Sequence, residues 1–276
     1  MRQGVELMKR PLKSEALRLF ASGLFTLGIT GVERFRILTF HSVQDHADNR
    51  WHTSPAVFES QMRYLSESGY RTYRIMDIVE QWPYILKSKE KAVALTFDDG
   101  LLNNFTIVAE ILDKLNMSAT FFISTENIGT QRNYPVSQGL EYFHDTQMLC
   151  WDDIREMHRR GFEIGSHSHS HDMIAKMSTQ QAQENIAESK RVLEAELDTG
   201  VVSFAYPYGL KNAHAGWTRD ILSELGFKAG CTQMGGALSN QSKLLELPRI
   251  GMKGSDSLEV FKHKISGSYD FVRWIL

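Results

Sequence analysis

Ala92-Val93-Ala94-Leu95-Thr96-Phe97-Asp98-Asp99-Gly100 is the stretch from which the fold is read. Its apolar half has the length and composition of a buried strand, and the glycine offers a turn directly after it. Two neighbouring aspartates leaving a strand point to different sides, so one can hold a metal while the other handles protons. A second strand-like run, Phe162-Glu163-Ile164-Gly165, leads into Ser166-His167-Ser168-His169-Ser170-His171. One carboxylate with two imidazoles forms a facial metal set that leaves coordination positions open.

Outward from these two stretches, apolar strand-like runs alternate with helical patterns from about residue 35 onward, as in a parallel α/β fold. Strands are expected at Phe35–Phe40, Ala92–Leu95, Ala119–Ile123, Phe162–Ser166 and Val201–Ala205, then near Lys228–Cys231 and Leu244–Leu247. Helices are expected after Thr53-Ser54-Pro55, over Asn104–Leu115, Trp151–Arg160, Gln180–Leu197 and Gly216–Leu225. Residues 124–149 read as the longest irregular connection, of the kind that shapes a binding groove. About seven repeated units suggest a barrel, which gathers all strand C-terminal ends on one face. His41, Asp98 and Asp99, His167, Tyr206-Pro207-Tyr208-Gly209 and Arg249 each follow a different strand, so all five positions fall on that face.

The chain has 276 residues, 42% of them apolar, enough for a full core. A formal net charge of −2 argues against a nucleic-acid partner. Cys150 and Cys231 match no zinc or redox spacing and read as small core residues. His46, His52, His144, His158 and His214 have no ligand spacing and read as surface or loop residues. Trp151 reads either as a core anchor or as a platform for a sugar ring. At the N-terminus Arg2, Lys9, Arg10 and Lys13 precede a moderately apolar segment interrupted by Arg18 and three glycines. It falls short of a membrane span and has no convincing cleavage site. Residues 1–33 are expected to be a basic amphipathic extension, uncleaved, in a cytoplasmic protein or one resting on the inner membrane surface.

With these motifs assembled, the chain resembles the polysaccharide deacetylases, the NodB homology domain of carbohydrate esterase family 4. Thr96-Phe97-Asp98-Asp99-Gly100 matches the first family motif, His167-Ser168-His169-Ser170-His171 the second, and Phe204-Ala205-Tyr206-Pro207-Tyr208-Gly209 resembles the third. The likeness covers about residues 35–265, and residues 34–276 are read as one catalytic domain. The resemblance implies a distorted (β/α)7-type barrel and a divalent metal, most often zinc, with cobalt as an alternative. It implies that Asp98 is the general base and that Asp99, His167 and His171 hold the metal, while His169 faces away or supports the site. The expected substrate is an N-acetylated glycan.

Two departures from the family pattern matter. Ala205 stands where the family has the arginine that contacts the base, and no C-terminal Leu-x-x-His motif supplies an acid, His263 lacking its apolar setting. Both recur in a branch similar to the biofilm poly-N-acetylglucosamine deacetylases. That branch carries a histidine after the first strand, matched by Thr39-Phe40-His41-Ser42-Val43. The resemblance therefore implies that His41 is the acid. Arg249, in Leu247-Pro248-Arg249-Ile250, is a candidate for the missing guanidinium, and the Tyr208 backbone N–H for oxyanion stabilisation. Two other readings remain open: hydrolysis of another non-peptide C–N bond, as in allantoinase-like relatives, and a non-catalytic carbohydrate-binding barrel.

Overall fold

The computed structural model describes residues 35–45, 50–137 and 141–268. The N-terminal extension expected over residues 1–33 lies outside them, as do His46 and the side chain of His144. The chain divides into two compact units, Phe35–Ser255 and a second formed by Met1–Arg34 with Asp256–Leu276.

In the first unit the strands are β1 (Arg36–Phe40), β2 (Ser42–Val43), β3 (His52–Thr53), β4 (Arg71–Tyr73), β5 (Ala92–Phe97), β6 (Thr120–Ile123), β7 (Gln131–Ser137), β8 (Glu141–Gln147), β9 (Glu163–Ser166), β10 (Ser203–Ala205), β11 (Ala229–Cys231) and β12 (Ile250–Gly251). The principal sheet runs β11-β10-β9-β6-β5-β1-β12, with β4 also on β5, and every pairing in it is parallel. β1 and β5 are buried along their whole length, as strands covered on both faces must be.

The two ends of this sheet meet. Leu247 forms a parallel bridge with Cys231, and its N–H donates to the Gly230 carbonyl at 2.7 Å. A few residues on, Ile250 pairs with Leu38, and the Met252 N–H donates to the Thr39 carbonyl at 2.8 Å. One run, 247–251, thus joins β11 to β1 and closes a ring of seven strand positions. This is the expected distorted barrel, and its strand C-terminal ends share one face.

Helices pack around the ring for reasons legible in their sequences. In α1 (Pro55–Glu67) the Ser54 hydroxyl accepts from the Val57 N–H and Pro55 fills the first turn, while Phe58, Met62 and Leu65 make the buried stripe. After the short α2 (Ile75–Glu80), Asn104–Ala109 is wound as a π-helix before α3 (Glu110–Lys114), where a single α-helix was expected. α4 (Trp151–Arg159) and α5 (Thr179–Leu197) follow, the latter opened by a reciprocal Ser178–Gln181 capping box and closed by Asp198 at φ 48°. α6 (Thr218–Glu224) completes this unit. In the second unit α7 (Leu258–Ser266) is capped by Ser257, ends at Gly267 with φ 81°, and carries His263.

Several expectations are corrected. Residues 124–149 are not irregular: they hold a 3-10 turn and the antiparallel β7–β8 hairpin, whose Asn133 and Pro135 concealed a strand. Leu244–Glu246 is a 3-10 turn rather than a strand, because the Leu245 carbonyl accepts from the Tyr206 hydroxyl at 2.8 Å and pairing begins only at Leu247. His52 is buried in β3 with its Nδ1 3.0 Å from the Gln44 amide nitrogen, so it is no surface residue. Cys150 is exposed, at the start of α4, while Cys231 is buried as expected. Among the described residues, no helix is long and apolar enough to cross a membrane.

Candidate active site

A cavity of about 430 Å³ opens at the C-terminal face of the ring. Its walls include His41, Asp98, Asp99, His167, His171 and Tyr208. The ends of four strands, β1, β5, β9 and β10, therefore converge on one chamber of a size suited to a sugar-sized ligand.

Asp99, His167 and His171 meet at its buried floor, their ligand atoms within 4.8 Å of one another. The Asp99 Oδ1 lies 3.5 Å from His167 Nε2 and 3.3 Å from His171 Nε2. His167 Nδ1 is 2.8 Å from the Ala205 carbonyl, which fixes the proton on Nδ1 and turns the Nε2 lone pair inward. Local sequence brings His171 back beside His167. Ser168, at φ 66°, receives the His171 N–H on its hydroxyl at 3.0 Å, and the two rings end 4.8 Å apart. Asp99 and His171 are themselves left-handed, with φ 79° and 61°. Such conformations cost about 1–3 kcal/mol each in non-glycine residues and gather where function holds them.

These residues fit a divalent ion. The Asp99 Oδ2 is buried without a hydrogen-bond partner among the described residues, an orphaned anion that a cation would satisfy. Burial alone would raise the Asp99 carboxyl, but the hydrogen bonds of His167 and His171 hold it far below its ordinary value. Burial would likewise lower His167, yet the Asp98 charge and the Asp99 contact raise it above its ordinary value. His171, where burial dominates, is lowered.

Asp98 points the other way, into a different set of partners. Its Oδ1 and Oδ2 accept from the two terminal nitrogens of Arg249, each at 2.7 Å. Arg249 is fully buried, with Nε donating to the Thr232 carbonyl at 3.0 Å and its guanidinium above the Phe122 ring. Burial pushes Asp98 up, while Arg249 and then His167 pull it down to a net value below the ordinary carboxylate range. The arginine missing at Ala205 is thus matched in space by one 44 positions later in the chain.

His41 hangs from the end of β1 with 8% of its surface exposed. Its ring packs on Trp51, centroids 4.6 Å apart. Burial lowers its pKa, against the charges of Asp99 and Asp98, which raise it. Tyr208 sits at φ 63° with its ring 5.1 Å from that of His171. The next residue must be glycine: at φ 55°, a Cβ on Gly209 would lie 2.5 Å from the Gln233 nitrogen. Tyr206 is a packing residue, buried and hydrogen-bonded to Leu245. His169 bonds outward to Thr125 Oγ1 at 2.9 Å, in keeping with a supporting role.

Three residues were not anticipated. Trp51, rather than Trp151, lines the cavity, as does Gln233, whose amide nitrogen is 3.4 Å from Asp98 Oδ2. Asn104 reaches the His41 carbonyl from the π-helical turn at 2.8 Å. Gln233 carried a readable signal, since it too is a polar residue just past a strand end.

Comparison with known proteins agrees with this geometry. The polysaccharide deacetylase family profile matches residues 86–230. The Bacillus subtilis protein YxkH is 27% identical over 223 residues, covering 79% of this chain and 73% of that one. The poly-beta-1,6-N-acetyl-D-glucosamine N-deacetylase of Escherichia coli K12 is 27% identical over 261 residues, covering 84% of this chain but only 38% of that protein. Among solved structures, the Streptococcus pyogenes deacetylase PplD shares the fold with a TM-score of 0.71 and 23% identity, covering 84% of this chain and 98% of that one.

Proposed function

The chain belongs to the polysaccharide deacetylase family, and we propose that its cavity hydrolyses the acetamide of N-acetylhexosamine units in a polysaccharide or oligosaccharide, releasing acetate and a free amine. The observation that carries this reading is the convergence of a buried Asp-His-His set and a separately held Asp98 on one chamber. The named activity of the Escherichia coli relative favours poly-β-1,6-linked N-acetylglucosamine as the glycan.

Asp99, His167 and His171 would hold a divalent ion, zinc or cobalt by their donor chemistry. When bound it supplies Lewis acidity, polarising the acetamide carbonyl and acidifying a water. Asp98 accepts the proton of the attacking water, and the Arg249 fork keeps it ionised and aimed. The oxyanion that develops on the carbonyl receives the Tyr208 backbone N–H. An amine leaves poorly unless protonated, so His41 delivers a proton to the departing nitrogen. Water adds its oxygen to the acyl carbon, the C–N bond breaks, and acetate and amine result.

Against the allantoinase-like reading stands the named N-deacetylase activity of the Escherichia coli relative. Against the non-catalytic reading, which rests on Ala205 and the missing C-terminal acid motif, stands Arg249, whose guanidinium meets Asp98 in place of the absent motif arginine. The experiment is release of acetate and amine from β-1,6- and β-1,4-linked N-acetylglucosamine oligomers, beside a ureide such as allantoin. Ring-opening of allantoin to allantoate without acetate from either glycan would overturn the proposal.

A further inference from the structure

We propose that Asn104 is a positioning residue for the His41 imidazole, and through it for protonation of the leaving amine. The inference deepens the mechanism above and rests on its reading of His41 as the acid. It begins from what the His41 ring lacks. Its Nδ1 is buried and has no hydrogen-bond partner among the described residues. His167, by contrast, is fixed through its own Nδ1 by the Ala205 carbonyl. With no such bond to its Nδ1, the His41 ring takes its direction from the Trp51 ring and from the backbone that carries it.

The segment 41–43 is held at three successive residues, twice by backbone and once by the Ser42 hydroxyl, by two successive residues of one turn. The Asn104 amide donates to the His41 carbonyl at 2.8 Å. The Asn103 amide donates to the Ser42 hydroxyl at 2.8 Å, and its Oδ1 accepts from the Val43 N–H at 3.3 Å. The turn follows directly on Asp98-Asp99-Gly100 and opens the π-helix Asn104–Ala109, a winding found often at functional sites. One continuous segment therefore carries the base and a metal-site carboxylate and also clamps the strand end bearing the acid.

Packing does not account for an asparagine here. Asn104 is fully buried, and its Oδ1 has no hydrogen-bond partner among the described residues. A leucine, with the same branched skeleton, would be apolar here and leave no unmet carbonyl. What asparagine adds is the donor to His41. The amide orientation is set by this bond, because the flipped form would face oxygen to oxygen.

The test compares two substrates that differ in their need for an acid. An N-acetylglucosamine oligomer must lose an amine, whereas 4-nitrophenyl acetate loses a phenolate that needs no proton. Asn104→Leu should lower kcat on the oligomer on the order of 10- to 100-fold, a partial loss of the roughly 10²–10⁴-fold that acid catalysis contributes. KM and zinc content should stay as in the wild type, and ester turnover should fall less than about twofold. Added to His41→Ala, Asn104→Leu should cause no further loss, the signature of residues acting through one another. Should Asn104→Leu not fold, Asn104→Asp gives the same readouts with a near-identical shape and an acceptor in place of the donor. Equal losses on both substrates, or losses that multiply with His41→Ala, would overturn the positioning role while leaving the deacetylase reading intact. A wild-type enzyme that cleaves the ester but not the acetamide would overturn both.

Discussion

Arg249 places both terminal guanidinium nitrogens 2.7 Å from the two oxygens of Asp98, with neither side chain more than 2% exposed. A buried carboxylate is costly to desolvate, and here a two-pronged, charge-assisted contact offsets that cost. The pair also decides which aspartate is which. Asp98 is saturated by a cation supplied by the protein, and Asp99 is left facing two imidazoles with a bare oxygen.

Removing one partner of such a pair strands a charge. Arg249→Ala should cost about 3–5 kcal/mol of stability, read as a fall in the denaturation midpoint. Arg249→Lys keeps the charge but not the fork, so it should fold and still lose most turnover. Wild-type turnover in the lysine variant would show that the bidentate geometry is dispensable.

Asp98→Asn should keep the fold and the metal while losing turnover by about 10²–10⁴-fold. The amide preserves the shape, and its oxygen can still accept from Arg249, but it cannot take a proton. The decisive measurement pairs kcat with metal content in one preparation. Near-normal turnover at full metal occupancy would remove Asp98 from the role of base.

Metal uptake should depend on pH in a direction set by His167. That imidazole is held above its ordinary value of 6.5, so as pH falls it takes up a proton that competes with the ion. Affinity should therefore begin to weaken above pH 6.5, before an unperturbed histidine would titrate. Titration calorimetry of metal-free protein with zinc in buffers of different ionisation enthalpy would count the protons released. A flat affinity between pH 6 and 8 would contradict this, and chelation should abolish activity, with zinc or cobalt restoring it.

Stability should respond to pH through Glu163, in the ring interior. Its carboxyl accepts from the Met76 N–H, the Thr120 hydroxyl and the Ser203 hydroxyl, yet burial outweighs these contacts and raises its pKa above the ordinary 4.5. The folded protein then binds this proton more tightly than the unfolded chain. Its contribution is full below the unfolded value and declines as pH rises through the folded one. Glu163→Gln should flatten the decline, as measured by urea unfolding from pH 4.5 upward. An unchanged pH slope would show that another group is responsible.

The parts legible in the sequence were those whose meaning is local. An apolar run ending in Asp98-Asp99-Gly100, and a histidine every second residue after Gly165, declare a strand end and its chemistry within a few residues. Arg249 was reachable only through a rule about where strands finish, since its partner lies 151 positions away. β4 stayed hidden because three residues, Arg71, Thr72 and Tyr73, make no apolar run. The β7–β8 hairpin was masked by residues that rarely occupy strands. Trp51 lies in a loop without periodicity, and only the folded chain brings it against His41. Asn104 looked like the start of an ordinary helix. Its role depends on a winding that sequence periodicity does not distinguish from α.

The run 247–251 has a temporal consequence. It is the segment that shuts the ring, and it also carries the guanidinium that makes Asp98 a settled anion. On the ribosome Asp98 emerges some 150 residues ahead of Arg249, so the growing chain carries this carboxylate without its counter-cation over that whole stretch. Completion of the architecture and arming of the chemistry are then one event, delivered by a single late segment. A polypeptide cut before Leu247 would not be a slower enzyme. It would be a sheet with two open edges and an Asp98 carboxylate without its guanidinium partner.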